Sequence, residues 1–429
     1  MNISANKPLA FAHQHKFLLA FAAALLGLIA KAPEAITHAQ FWAEDGVQFF
    51  ASQFGHAWPR FSIPYAGYLH TIPRFVAWAA SFFPYAQAPL IYNVSATLID
   101  AWAIAYFSTR ASFIAPCWAC VAIILTAPSN GEILGTLTNV QWFLQLAIFA
   151  AIIFPAPKLR KPNTATRIAS LTLFLLISLT GPFSILLLLL LIGMAAIYCL
   201  SLTFKLATSE SLKNWWSHAD PALIIMVATG GVTQLCVLLT IGQRHSAPFS
   251  PTVARKLFSK GIEWHTLGLA PLSPTIFFIL FISLIIFVAY RGLYRKQEKW
   301  LAILFALAFA SLQILPVCYD GSRDIVDANI LAGDRYFFFM KTGLYLASIA
   351  LLMEYSPSKR IKLHAAIPIA LLTLIATHPA LGKRFALADL NWKQSAATLQ
   401  KGKFPVELPI NPVPLKIVLQ APDNTEQRQ

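Results

Sequence analysis

Acidic residues are scarce in this chain, with 18 Asp and Glu among 429 residues against 33 Lys and Arg. Charged residues of both signs make up only 12% and hydrophobic residues 57% of the sequence, whereas a soluble domain is about a quarter charged. Burial in a water-soluble core does not account for that balance. Cysteine is also sparse. Cys117, Cys120, Cys199, Cys236 and Cys318 lie mostly inside apolar runs, and Cys117-x-x-Cys120 puts two thiols on one helix face rather than in a redox loop, so no disulfide framework is implied. There is no P-loop, HExxH, GxSxG or zinc-type Cys/His spacing, which argues against soluble-nucleotide chemistry at a Gly-rich loop. No internal repeat is evident, and the one low-complexity stretch, ILLLLLLIG, has the composition of a lipid-facing helix.

What the chain has in quantity is apolar runs. Segments near the length of a spanning helix occur at 17–30, 90–107, 111–127, 140–154, 221–241, 275–290, 300–315, 336–353 and 363–377. The first has Lys16 before it and no small-residue cleavage site after it, and so predicts an uncleaved span with the N-terminus inside. The stretch 168–204 is too long for one span and barely enough for two, with LTGPFS in its middle. If Gly181-Pro182 turns a hairpin, then Lys158, Arg160, Lys161 and Arg167, then Lys205 and Lys213, then Arg291, Arg295, Lys296 and Lys299, then Lys359, Arg360 and Lys362 all fall on the cytoplasmic side. One span there would put the last three clusters outside. The net charge of +15 is therefore a sign of topology rather than of a nucleic-acid partner. The expectation is an all-α polytopic membrane protein of about eleven spans, with the C-terminus outside and two short helices in the middle.

On this layout residues 1–377 form a transmembrane module and 378–429 a small polar, Pro-rich extracytoplasmic cap. The first outward loop, 31–87, interleaves aromatic residues and prolines with few charges, which suits short amphipathic helices in the headgroup layer roofing a cavity. Nearly all acids outside the basic clusters face outward, so chemistry is expected there.

Several groups could carry it. Glu44 and Asp45 in FWAEDG are adjacent carboxylates just past the first span, suited to proton transfer or cation binding, although Asp45-Gly46 also suits a helix cap or turn. YAGYLHTIPRF offers Tyr68, His70 and Arg74 for a sugar or phosphate oxygen, while a snorkelling Arg74 is the competing reading. In GDRYFFFMK, Arg335 and Lys341 flank an aromatic run where a guanidinium can meet a lipid phosphate. Arg244-His245 and Arg255, Lys256 and Lys260 lie on an outward loop against the charge trend, which marks them for an anionic ligand. Glu132, Asn139 and Gln141 are placed to line the same outward cavity, and Asp100 is expected to pair with a polar residue of a neighbouring helix.

A first span followed at once by an outward loop carrying WAEDG, with amphipathic helices behind it, many further spans and an outward C-terminal segment, resembles the GT-C superfamily of integral-membrane glycosyltransferases. The chain is also similar to bacterial multi-spanning proteins sharing a WAEDG, YAGYLH, PRF and RYF pattern, although the WWDYG-type signature of oligosaccharyltransferases is missing. The likeness is specific only over 41–75 and 333–338. It implies a GT-C-like bundle in a bacterial inner membrane that moves a sugar from a polyprenyl-phosphate carrier to a glycan or lipid-linked acceptor on the periplasmic side. Asp45 would then be the catalytic base and Glu44 its orienting partner or metal contact. Arg335 would meet the carrier phosphate, with Arg74, His70, Tyr68, Arg244 and Lys341 around it. No metal ligand set is read here, and a divalent ion stays open. The competing readings are a transporter or flippase of lipid-linked saccharides, using Asp100 and Glu44-Asp45 as ion sites, and a non-catalytic subunit of a polysaccharide-assembly complex.

Overall fold

The computed structural model describes residues 15–155, 163–205, 208–241, 248–257, 261–267, 273–318, 333–355, 383–384 and 386–421. Helix α1 (Lys16–Lys31) enters the first loop, which contains a wide π-type turn, Asp45–Phe50, running into Ala51–Gln53, and then α2 (Thr71–Ala80). There follow α3 (Ala88–Arg110), α4 (Cys117–Thr126), α5 (Val140–Ile153), α6 (Thr164–Ser178), α7 (Phe183–Thr203), α8 (Thr208–His218) and α9 (Pro221–Thr240). After the short helices Pro251–Lys256 and Ile262–Leu267 come α10 (Pro274–Ala289), α11 (Glu298–Ile314), α12 (Phe338–Tyr355) and α13 (Trp392–Gln400). The chain closes with strands β1 (Val406–Pro409) and β2 (Lys416–Leu419), antiparallel, with Leu408 opposite Ile417.

Six of the described helical segments are long and apolar enough to cross a membrane: Tyr85–Phe113, Phe183–Thr203, Pro221–Thr240, Thr275–Tyr294, Glu298–Cys318 and Asp334–Tyr355. This is a membrane protein by composition and by surface. Leu189, Ile192 and Ile197 of α7, Ile225 and Leu239 of α9, and Ile276, Ile279 and Ile286 of α10 stand exposed in apolar bands that water would penalise and lipid would not. By contrast, all fourteen residues of α5 are buried, with α3, α6, α7, α9, α11 and α12 around it.

Two expected spans differ in length. The expected segment at 111–127 is only the ten-residue α4, because Pro116, in an extended conformation, breaks the chain after Ala111–Phe113 has closed α3 with a 3₁₀ turn. The hairpin around Gly181-Pro182 is present, with Gly181 in the left-handed region at φ +79, but only α6 is short: α7 runs 21 residues because its Leu-rich sequence contains no proline before Thr203 and carries the single Gly193 through. The expected span at 363–377 lies outside the described residues.

Ion pairs tie one end of the bundle together. Arg167 grips Asp220 at 2.5 and 2.6 Å, Lys299 meets Glu354 at 2.6 Å, and Arg291–Glu354 and Lys296–Glu210 join the turn after α10 to α12 and α8. Arg110 donates to the carbonyls of Ala150, Ala151 and Phe154, where the C-terminal end of α5 favours a cation.

The opposite end carries the first loop and the C-terminal segment. That segment is not merely a polar cap. Its two-stranded sheet adds a small β element to the expected all-α fold, since Leu408, Ile417 and Leu419 alternate with exposed neighbours and bury one face. The tail is stitched into the first loop. The Asn411 N–H donates to the Phe41 carbonyl at 3.2 Å and the Asn411 carbonyl accepts from the Ala43 N–H at 2.5 Å, while Ile410 and Ile417 press on Gly46. The turn bearing the two acids is thus held from above by the last part of the chain.

Candidate functional site

Glu44 and Asp45 are adjacent in sequence but face different surroundings. Asp45 is fully buried and accepts two backbone N–H groups, from Leu137 at 2.9 Å and Thr138 at 2.7 Å. Those N–H groups open the 3₁₀ turn Leu137–Asn139 that leads into α5, so Asp45 caps that helix from another part of the chain. Burial pushes its carboxyl up to about 7, and the two N–H groups and the Arg384 guanidinium hold it from rising further. Arg384 itself donates to the Gly135 carbonyl at 3.2 Å.

Glu44 is only half-buried. It accepts the Tyr65 hydroxyl at 3.1 Å. Burial first, and then Glu44, raise the Tyr65 phenol above its usual range, while burial and the Tyr336 ring push Tyr68 up to about 12. Arg335 is close enough to both phenols to counter these shifts, and it pairs with Glu132 across 203 residues. The Arg335 guanidinium also lies over the Tyr336 ring at 5.5 Å, and Trp142 meets that ring edge-on. Glu44, Tyr65, Tyr68, Glu132, Arg335 and Tyr336 therefore gather in one partly open place: two acids, a cation and three phenols. Of these, Tyr65 and Tyr336 were not singled out from the sequence, and only their position beside Glu44 and Arg335 reveals them.

The other expected members lie elsewhere. His70 is buried against Phe49, Tyr65 and Tyr68. Its Nδ1 faces the Tyr68 carbonyl at 3.3 Å, Nε2 has no hydrogen-bond partner among the described residues, and burial, followed by the Arg74 charge, drives it down to about 3. A ring held neutral there packs rather than binds an anion. Arg74 lies behind Phe49 and shares no described contact with Glu44 or Arg335.

Lys341 is 1% exposed and committed to Asp334 at 2.5 Å and the Pro128 carbonyl at 2.6 Å, which takes it out of the proposed phosphate set. Asp334 also meets His265 Nδ1 at 2.9 Å, so this buried group fixes the start of α12 and, with it, Arg335. Asp100 is buried in α3 without the expected partner. Neither oxygen is hydrogen-bonded among the described residues: on its own helix Ala96, Ala103 and Ile104 are aliphatic, and the buried Thr97 gives its hydroxyl to the Asn93 carbonyl at 2.8 Å instead. Arg244, His245 and Lys260 lie outside the described residues.

Among the described residues no group of three or more His, Cys, Asp or Glu side chains gathers to hold a metal. Compared with family models, curated proteins and solved structures, the chain matches none.

Proposed function

We propose that this protein is a membrane glycosyltransferase that moves a sugar from a polyprenyl-phosphate carrier to an acceptor hydroxyl, with Glu44 rather than Asp45 as the general base. One observation carries this reading: the half-buried Glu44 carboxylate, steadied by Tyr65, shares its surroundings with the Arg335 guanidinium. A polyprenyl phosphate already leaves well, so the reaction needs a stronger nucleophile and a partner for the departing charge. Glu44 would take the acceptor hydroxyl's proton as its oxygen bonds the anomeric carbon. The bond from that carbon to the phosphate oxygen breaks, and the phosphate leaves toward Arg335. Asp45 has both oxygens engaged by the turn that leads into α5 and serves to place Glu44. General base catalysis of this kind contributes about 10²–10⁴ in rate.

The same proposal includes a bacterial inner-membrane location, about eleven spans, a cytoplasmic N-terminus and a site facing the periplasm, because the ion-paired basic end of the bundle fits the inner surface. The test is transfer of radiolabelled sugar from a polyprenyl-phosphate donor by purified protein. Glu44→Gln is expected to lose about 10²–10⁴ of the rate, and a Glu44→Gln protein working at the unmodified rate would sink the assignment. Asp100, inside a spanning helix and without a hydrogen-bond partner among the described residues, favours a second reading, an ion-driven transporter of lipid-linked saccharide. That reading predicts uptake into proteoliposomes without transfer, lost in Asp100→Asn.

A further inference from the structure

Arg74 is 1% exposed, and most of its hydrogen-bonding capacity is unused. Of the guanidinium donors, Nη1 reaches the Ser52 hydroxyl at 2.9 Å, whereas Nε and Nη2 have no partner among the described residues. A guanidinium kept from water normally faces a carboxylate, since an uncompensated buried charge is costly. No Asp or Glu of the described residues pairs with this one; the ring of Phe49, 5.5 Å away, offers only its face. Burial, and after it the charge of another cation, Arg60, pull the Arg74 guanidinium down to about 10.

Neighbours of this pair line an open space. Ala77, one turn beyond Arg74 on α2, and Gln53, next to the serine that Arg74 holds, both line a cavity of about 550 Å³, together with Phe54, His56, Ser81 and Tyr85. His56 in turn lies 3.5 Å from Arg60. Two cations, two unused donors and an adjoining cavity without an acid are arranged as an anion receptor is.

We propose that Arg74 is the base of an anion-binding site, distinct from the Arg335 group, that takes a compact oxyanion of the phosphate class from this cavity with Arg60 as the second cation. The oxyanion would be a free phosphate group or a lipid headgroup. The site stands apart from the transfer reading, so its test needs no turnover.

The full chain, purified in neutral detergent, is melted while phosphate replaces chloride at constant ionic strength. An Arg335→Gln background removes the guanidinium assigned to the carrier phosphate. Phosphate is expected to raise the melting temperature saturably. Arg74→Gln should weaken apparent affinity about a hundredfold, about 2.8 kcal/mol at 1.4 kcal/mol per decade, and Arg60→Ala about tenfold. Arg60 is only half-buried, so its variant tests the site should Arg74→Gln fail to fold. Native mass spectrometry with phosphatidylglycerol against phosphatidylcholine separates the two sources. Arg74-dependent retention of phosphatidylglycerol assigns a headgroup, and a phosphate response without it assigns a soluble anion. Binding of neither, or binding unchanged in both variants, overturns the proposal.

Discussion

Asp45→Asn separates the structural work of this carboxyl from the chemistry assigned to its neighbour. In the folded chain the group ionises at about 7 instead of the usual 3.8. At about 1.36 kcal/mol for each pH step, that rise amounts to about 4 kcal/mol. The sign follows from proton counting. Between the two values the folded chain keeps a proton that the unfolded chain has released, so Asp45's contribution to stability falls as pH rises through that window and is flat above it. Asn does not titrate. It keeps an oxygen for one N–H at the head of α5 but turns a nitrogen without lone pairs toward the other, which costs about 1–3 kcal/mol. A protonated carboxyl retains lone pairs on both oxygens. The variant should therefore be less stable than the parent by about 1–3 kcal/mol at about pH 4, and more stable by about 1–3 kcal/mol at about pH 8. Thermal unfolding of both purified proteins in one detergent across this range gives the difference, in which every other titrating group cancels. A difference that stays constant with pH would refute the account of Asp45 as a buried helix cap with a raised ionisation.

Other consequences are open to the same kind of measurement. His70, held down at about 3 from 6.5, must shed its proton to fold, so its contribution is lost as pH falls below the unfolded value, by about 5 kcal/mol in all; His70→Gln should flatten the acid limb of the melting profile. Gly181→Ala places a Cβ in the left-handed region and against Gln141 Oε1. It should cost at least about 1–2 kcal/mol, read as a lowered melting temperature. Asn411→Ala removes two buried side-chain hydrogen bonds with the Ala388 backbone, each of 2.9 Å. It should destabilise the C-terminal segment by about 1–3 kcal/mol, seen as faster proteolysis after residue 388.

The helices were legible because their signals are local. Apolar run length, Gly181-Pro182 and the basic clusters located α3, α5 to α7 and α9 to α12 within a few residues. The site was only half legible. FWAEDG pointed to the turn that holds both acids, but nothing local says that Asp45 would be claimed by N–H groups 92 residues away while Glu44 stays open. In the same way Lys341 and Arg335 look alike as basic residues beside an aromatic run. Only the fold shows that Asp334, seven residues back along the chain, consumes the lysine, while the arginine's partner, Glu132, comes from a distant loop. The tail's hairpin was hidden because its strands are four residues each, too short for their alternation to stand out, and the surface they bury against comes from the first loop.

The complete enclosure of α5 bears on how the protein is made. At fourteen residues it is about 21 Å long at 1.5 Å per residue, short of the roughly 30 Å of a hydrocarbon core. Protein rather than lipid meets both of its ends, so no thinning of the bilayer is required. Yet the ribosome delivers α5 well before α11 and α12, two of the helices that finally surround it. Until they arrive, Gln141 and Gln145 depend on their own backbone and on α3 for company, and insertion of this segment should be the step most sensitive to delayed synthesis of the C-terminal half.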